Sequence, residues 1–181
     1  MTEETLSAAL ETSMWATYVI SVGAIVLEAV VLRVMREKVS HREGLASVLS
    51  AVFAFGGLAV ANRLLFIGLM HVVYSHRLFD LGLGVEVWVL GFVIYDLMFY
   101  VAHRAGHEIR LLWCFHSVHH TSEEMRLTTA IRGSAFDFVY LPWFFIWIPI
   151  LGIHPAVILI VEAGSRLWGV MTHIHPRFVG R

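Results

Sequence analysis

The sequence predicts an all-α fold: a multipass integral membrane bundle of about three spans plus a helical hairpin, with a cytoplasmic histidine-rich metal site. Three observations lead there. The first is composition. Of the 181 residues, 58% are hydrophobic and 15% charged, and mean hydropathy is +0.73. Soluble domains carry about a quarter charged residues, so the bilayer is the expected solvent. The second is a succession of apolar runs, each long enough to cross a hydrocarbon core of about 30 Å at about 1.5 Å per helical residue. The third is the placing of histidine. Five of the eleven histidines fall in the stretch HRAGHEIRLLWCFHSVHH, from His103 to His120, where an even spread would put about one.

Charge and cysteine content exclude several classes. Net charge is −1 and the basic residues are scattered rather than striped, so no nucleic-acid partner is expected. The single cysteine, Cys114, rules out an intrachain disulfide and a cysteine-based zinc cluster. Between Trp113 and Phe115 it is expected to be a small packed apolar residue.

The elements follow in order. Glu3, Glu4 and Glu11 precede the first apolar run without any basic residue, the wrong sign for a secretory signal, so that run is expected to be retained. It extends from Met14 to Met35, and Glu28 inside it needs a partner. A basic link then leads to a second run, Leu45 to Met70, in which Asn62 and Arg63 should face the bundle interior. The third run, Val85 to Ala102, contains Asp96 and leads into the histidines. After His120 the polar stretch TSEEMRLTTAIRGS reads as interfacial.

The last apolar region, Ala135 to Thr172, is broken by Pro149, Gly152 and His154-Pro155. It predicts a hairpin with arms of about 17 residues, just enough to cross or nearly cross. The hairpin returns the chain to the side it left and sets His173 and His175 beside the first histidines. Glu162 and Arg166, four apart, are expected to pair. Trp143, Phe144, Phe145 and Trp147 read as helix packing or an interfacial aromatic belt. The chain divides into residues 1–84, N-terminal spans, and 85–181, the histidine-bearing unit.

Basic residues set the orientation. Placing the first link inside puts Arg33, Arg36, Lys38, Arg42, Arg104, Arg110, Arg126, Arg132, Arg177 and Arg181 on the cytoplasmic side, against Arg77 alone outside. The histidines are therefore expected to face the cytoplasm.

His103 and His107 share a helix face by their i, i+4 spacing, and His116, His119 and His120 repeat the pattern at i, i+3, i+4. Together with His173 and His175, seven histidines exceed the three or four protein ligands of one metal, so two ions are expected. Imidazole suits iron, zinc and copper alike. Asp96 lies on the stripe of His103 and His107, where a carboxylate would orient a ligand imidazole or hold a helix contact. His173 and His175 also fit a polar helix end at an interface. His41, His71, His76 and His154 are expected to be solvated or locally satisfied. Other readings of the cluster are a zinc-dependent membrane hydrolase, with Glu108, Glu123 or Glu124 as base, a bis-histidine haem protein, and a metal-binding piece without activity.

YDLMFYVAHRAGH (Tyr95 to His107), LLWCFHSVHHTSEEMRLTTAIR (Leu111 to Arg132) and the later THIHP resemble the fatty acid hydroxylase/sterol desaturase superfamily of membrane di-iron enzymes. The HSVHHTSEEMRLTTAIR stretch is similar to its alkylglycerol monooxygenase-like and bacterial sterol desaturase-like branch. The resemblance implies oxygen-dependent hydroxylation or desaturation of a sterol, fatty acyl or ether lipid. Two iron ions would be held by His103, His107, His116, His119 and His120, with His173 matching the family's later lone histidine. It also implies a membrane lipid substrate and an external electron donor, cytochrome b5-, ferredoxin- or reductase-like. The setting would be a bacterial inner membrane or the endoplasmic reticulum. Such proteins continue past the THIHP region to a further H-x2-H-H box, which this sequence lacks, so residues 85–181 are expected to be a truncated form of the family's domain.

Overall fold

The structure, a computed structural model, describes residues 2–54, 56–134 and 136–179, and the regular elements among them are all helical. Helix α1 (Glu3–Val34) begins well before the first apolar run. Thr2 caps it by accepting the Thr5 N–H at 3.2 Å, and Glu3 and Glu4 sit in its positive first turn. Its 32 residues reach about 48 Å. It ends where Arg36 turns left-handed (φ 53) and the Glu37 N–H closes on the Leu32 carbonyl at 2.9 Å.

The second apolar run is not one span. It is divided between α2 (His41–Ala54) and α3 (Gly57–Ser75), with Gly56 as the N-cap of α3. Gly56 and Gly57 are the poorest helix formers short of proline, and the backbone redirects there instead of carrying one helix through. The third run is one helix, α4 (Val85–Glu108), which continues without a break through His103 and His107. Ile109 is extended (φ −92, ψ 114) and turns the chain into α5 (Arg110–His116). A 3-10 turn (His119–Thr121) and the short helix α6 (Leu127–Ala130) follow.

The hairpin turn falls where expected, but only its second arm is a regular helix. The first arm consists of α7 (Asp137–Tyr140) and 3-10 turns at Leu141–Phe144 and Ile148–Leu151; the second is α8 (Pro155–Met171), followed by α9 (Pro176–Val179). Pro142 and Pro149 each lack the N–H that a continuous α-helix needs, so the arm tightens into short turns. Gly152 makes the reversal at φ 92, and a Cβ there would collide with the Phe79 carbonyl oxygen, which leaves no room for a side chain. Gly152→Val is expected to destabilise the fold by about 1–3 kcal/mol from backbone strain alone, more with the steric clash, and a thermal melt in detergent would show no shift if this packing is wrong.

α8 runs along α1 and α4, while α3 packs on α7, α8 and the Ile148–Leu151 turn. The core between them holds Met70, Val87, Tyr95, Phe145, Ile148, Ile153, Val157 and Ile158. Tyr95 stacks on Phe145 with centroids 4.7 Å apart, and Phe66 meets Trp143 edge-on at 5.0 Å, so the aromatic cluster contributes packing. The outer faces are a different matter. Only 11% of the most apolar stretch of α1 and 22% of that of α4 is buried within the chain, and side chains such as Trp15, Val19, Leu27, Val89 and Phe92 are exposed. Both helices are long and apolar enough to cross a membrane, and lipid is the solvent that covers such faces without cost. The chain is read as an integral membrane protein.

Polar groups in the apolar helices find partners inside the bundle. Glu162 accepts from Arg63 at 3.0 and 3.3 Å and from Arg166 at 2.9 Å, so the expected Glu162–Arg166 pair is present and Arg63 joins it. Cys114 departs from expectation: it is exposed, its Sγ donating to the Arg110 carbonyl, because its short helix packs only one face. Arg181, counted among the cytoplasmic basic residues, lies outside the described residues.

Candidate metal centre

Four histidines meet at the junction of α4 and α5. His103 and His107 project from one face of the last turns of α4, as their spacing requires. α5 folds back beneath them so that His116 packs over Gly106, where a Cβ would come within 3.0 Å of the His116 ring. His120 arrives from the 3-10 turn. The ligating nitrogens of His103, His107, His116 and His120 all lie within 4.8 Å of one another. Nε2 of His107 is 3.1 Å from that of His103, and Nε2 of His120 is 3.2 Å from that of His116.

His119 does not join this group. The i, i+3, i+4 spacing predicts one face for His116, His119 and His120, but α5 stops at His116, and the chain winds on with i to i−3 bonds, His120 N–H to Ser117 and Thr121 N–H to Val118. The tighter winding swings His119 to the other side. There its Nε2 faces Nε2 of His173 at 3.2 Å. A second pair therefore sits beside the first group, the His116 and His119 rings being 5.9 Å apart.

Two nitrogens bound to one ion at about 2.0–2.1 Å stand about 2.8–3.4 Å apart for bond angles between right and tetrahedral. All three Nε2 pairs fit that range. They do not fit a haem, whose two axial nitrogens would stand about 4 Å apart at the same bond length. The pair's Nδ1 atoms are held as well: that of His119 by the Arg132 carbonyl at 3.0 Å and that of His173 by the Gly169 carbonyl at 2.7 Å. A carbonyl accepts only, so each Nδ1 carries the proton and each Nε2 keeps its lone pair for a metal. Burial pushes His116 down to about 3, with the imidazoles of His103, His120 and His107 adding to it; His119 and His120 are lowered too, mainly by burial. With their values lowered, His116, His119 and His120 are neutral at neutral pH, which is the form that ligates.

Among the described residues, no carboxylate belongs to the four-histidine group. Glu108 pairs with Arg104 at 2.8 Å, Glu124 faces Arg126 at 3.1 Å and accepts the Ser40 N–H at 2.6 Å, and Glu123 is exposed. Asp96 is exposed on α4, and no ligand imidazole hydrogen-bonds to it. Seven residues return to the same stripe but advance about 10 Å along the axis, beyond a side chain's reach. His175 is also elsewhere: its Nδ1 accepts the Arg177 N–H at 3.1 Å and starts α9. His154 accepts the Ala156 N–H and caps α8, and His76 bonds the Val72 carbonyl, as expected of locally satisfied histidines.

Several supporting residues were not visible as such in the sequence. Trp113 lies beside the exposed histidines of the group, 5.4 Å from His107 and 5.8 Å from His120 between ring centroids. Arg132 is buried, and its guanidinium bonds Glu43 of α2 at 3.1 Å while its carbonyl holds His119. Only Gly106, between two histidines, left a signal: a residue without a side chain where another element must approach. Gly106→Val is expected to push His116 away and weaken metal binding by about tenfold or more, the scale seen when a ligand loses its support; metal content measured on purified protein would be unchanged if α5 docks elsewhere.

Helical, with apolar helices long enough to cross a membrane and a histidine cluster at one end of the bundle that could hold a metal ion, the chain has the features of a membrane metal-binding protein. Residues 88–180, just over half of the chain, match the sequence profile of the fatty acid hydroxylase family, and the chain belongs to that family. It is similar to alkylglycerol monooxygenase of Xenopus tropicalis, 32% identical over 138 residues, 72% of this chain and 29% of that one. The Caenorhabditis elegans protein of the same name is 37% identical over 92 residues (50% and 17%), and the human one 34% over 89 residues (49% and 20%). The match thus spans less than a third of the length of each of these relatives. No solved structure matches the chain. The family and branch resembled by the histidine motifs are those the comparisons find.

Proposed function

We propose that this chain carries the iron-binding part of a non-haem, oxygen-dependent lipid monooxygenase acting on an ether lipid of the alkylglycerol class. One observation carries the reading. Six imidazoles converge through Nε2 without a carboxylate, at the end of apolar helices, in a chain of the fatty acid hydroxylase family. His103, His107, His116 and His120 would hold one iron ion, and His119 and His173 would contribute to a second. Iron, when bound, supplies the activation of dioxygen. The balance is one C–H bond, dioxygen, two electrons and two protons giving one alcohol and one water. The electrons come from an external donor, cytochrome b5-, ferredoxin- or reductase-like.

The chain's own residues position the rings. The Arg132 and Gly169 carbonyls fix the ring orientation of His119 and His173. Trp113 packs beside the rings of His107 and His120 and limits how far they can turn. The apolar outer face of α4 lets a lipid tail remain in the bilayer while its head reaches the histidines at the helix end. The excess of basic residues near that end favours a cytoplasmic site, in a bacterial inner membrane or the endoplasmic reticulum.

A zinc hydrolase would need a free carboxylate at the cluster; Glu108 and Glu124 are engaged by arginines, and Glu123 is exposed and outside the four-histidine group. The test is elemental analysis of detergent-purified protein expressed with iron, with an absorption spectrum alongside. The expected result is two iron ions per chain, no Soret band, and incorporation of label from isotopic dioxygen into an alkylglycerol when reductant is supplied. Zinc in place of iron, or a Soret band, would overturn the proposal.

A further inference from the structure

Glu28 lies near the C-terminal end of α1, outside the residues that match the family, and is only 6% exposed. A carboxylate buried in an apolar helix is costly unless each oxygen is hydrogen-bonded. Both are. Oε2 accepts the backbone N–H of Leu127 at 2.8 Å, and Oε1 accepts the backbone N–H of His175 at 2.8 Å. Neither donor has a helical acceptor. Leu127 is the first residue of α6, and His175 lies between the end of α8 and the start of α9.

These two N–H groups belong to the two segments that carry the second histidine pair. Leu127 opens the turn that ends at Arg132, whose carbonyl holds His119, and His175 is two residues past His173. The segments are 54 positions apart in the chain at the paired histidines, yet their Nε2 atoms are 3.2 Å apart. We propose that Glu28 is the positioning residue of the His119–His173 pair, one carboxylate gripping both segments by their backbones and setting the distance between the two imidazoles. The proposal rests on the reading of His119 and His173 as ligands of one ion. It requires a carboxylate of this length. Glutamine offers one acceptor oxygen and turns an N–H2 group toward the other N–H, and aspartate is one methylene too short to reach both.

Hydrogen exchange on the metal-free protein, with metal analysis of the iron-loaded protein, tests it on the parent, Glu28→Gln, Glu28→Asp and His119→Ala. In E28Q the amides of Leu127 and His175 are expected to exchange at least tenfold faster, while those of α4 around His103 and His107 keep their rate. E28Q is also expected to lose the same share of iron as H119A. E28D, which keeps the charge, is read the same way if E28Q does not fold. Unchanged exchange at Leu127 and His175 would overturn the contact, and faster exchange with full iron content would overturn the positioning role. If H119A itself retains full iron, the ligand reading fails and the positioning claim fails with it; if H119A loses iron and E28Q does not, only the proposal for Glu28 fails.

Discussion

His116→Ala is expected to remove the iron of the four-histidine group altogether, while His175→Ala leaves iron content unchanged. His116 is central to that group: its ring centroid lies 4.6 Å from that of His103 and 4.9 Å from those of His107 and His120. Alanine removes one ligand and also the packing over Gly106 that docks α5 on α4, so the position of His120 is lost with it. His175, by contrast, spends its Nδ1 on the Arg177 N–H, and alanine there costs a local cap rather than a ligand. The check is iron per chain for the two variants beside the parent, with circular dichroism to confirm that helix content is kept. Equal iron in H116A and the parent would sink the assignment of that group, and loss of iron in H175A would return His175 to the ligand set.

Glu162→Ala is expected to be the most damaging substitution for stability. It leaves Arg63 and Arg166 unpaired among apolar helices, and breaking a buried ion pair from one side costs about 3–5 kcal/mol. Arg63 and Arg166 are partly exposed, which places the loss toward the lower end of that range. The sign reverses when all three are replaced together. A triple variant with leucine at positions 63, 162 and 166 is expected to recover most of the stability, because the apolar replacement leaves no charge in hydrocarbon. Thermal unfolding in detergent separates the two cases. A single variant as stable as the parent, or a triple variant no better than the single one, would show that the triad is not what ties α3 to α8.

Glu28 and Glu162 illustrate how far polar residues in apolar runs can be read. Each marks, from sequence alone, a place where a partner is required, since an unpaired carboxylate in a span is too costly to persist. Glu162 had a candidate four residues away. Glu28 had none nearby, and its donors turned out to be backbone N–H groups of residues 99 and 147 positions further on. Backbone donors leave no trace in residue type. Asp96 shows the limit of such a reading: it lies on the stripe of His103 and His107, and the stripe gives direction around the helix but not distance along it.

What the sequence determined by itself is the helical class of fold, the family and a histidine cluster that could bind metal. Composition demands a lipid solvent, a histidine at i and i+4 on a continuous helix must share a face, and the hairpin breakers bring His173 back to the first group. The tertiary structure alone decided how the histidines are shared out. Local spacing assumes one unbroken helix, and α5 ends at His116, so the 3-10 turn sends His120 to the four-histidine group and His119 across to His173. Helix termination of this kind depends on what each segment packs against, here Gly106 on one side and the network of Glu43, Arg132 and Glu28 on the other. Those contacts join residues far apart in the chain, and only the folded molecule brings them together.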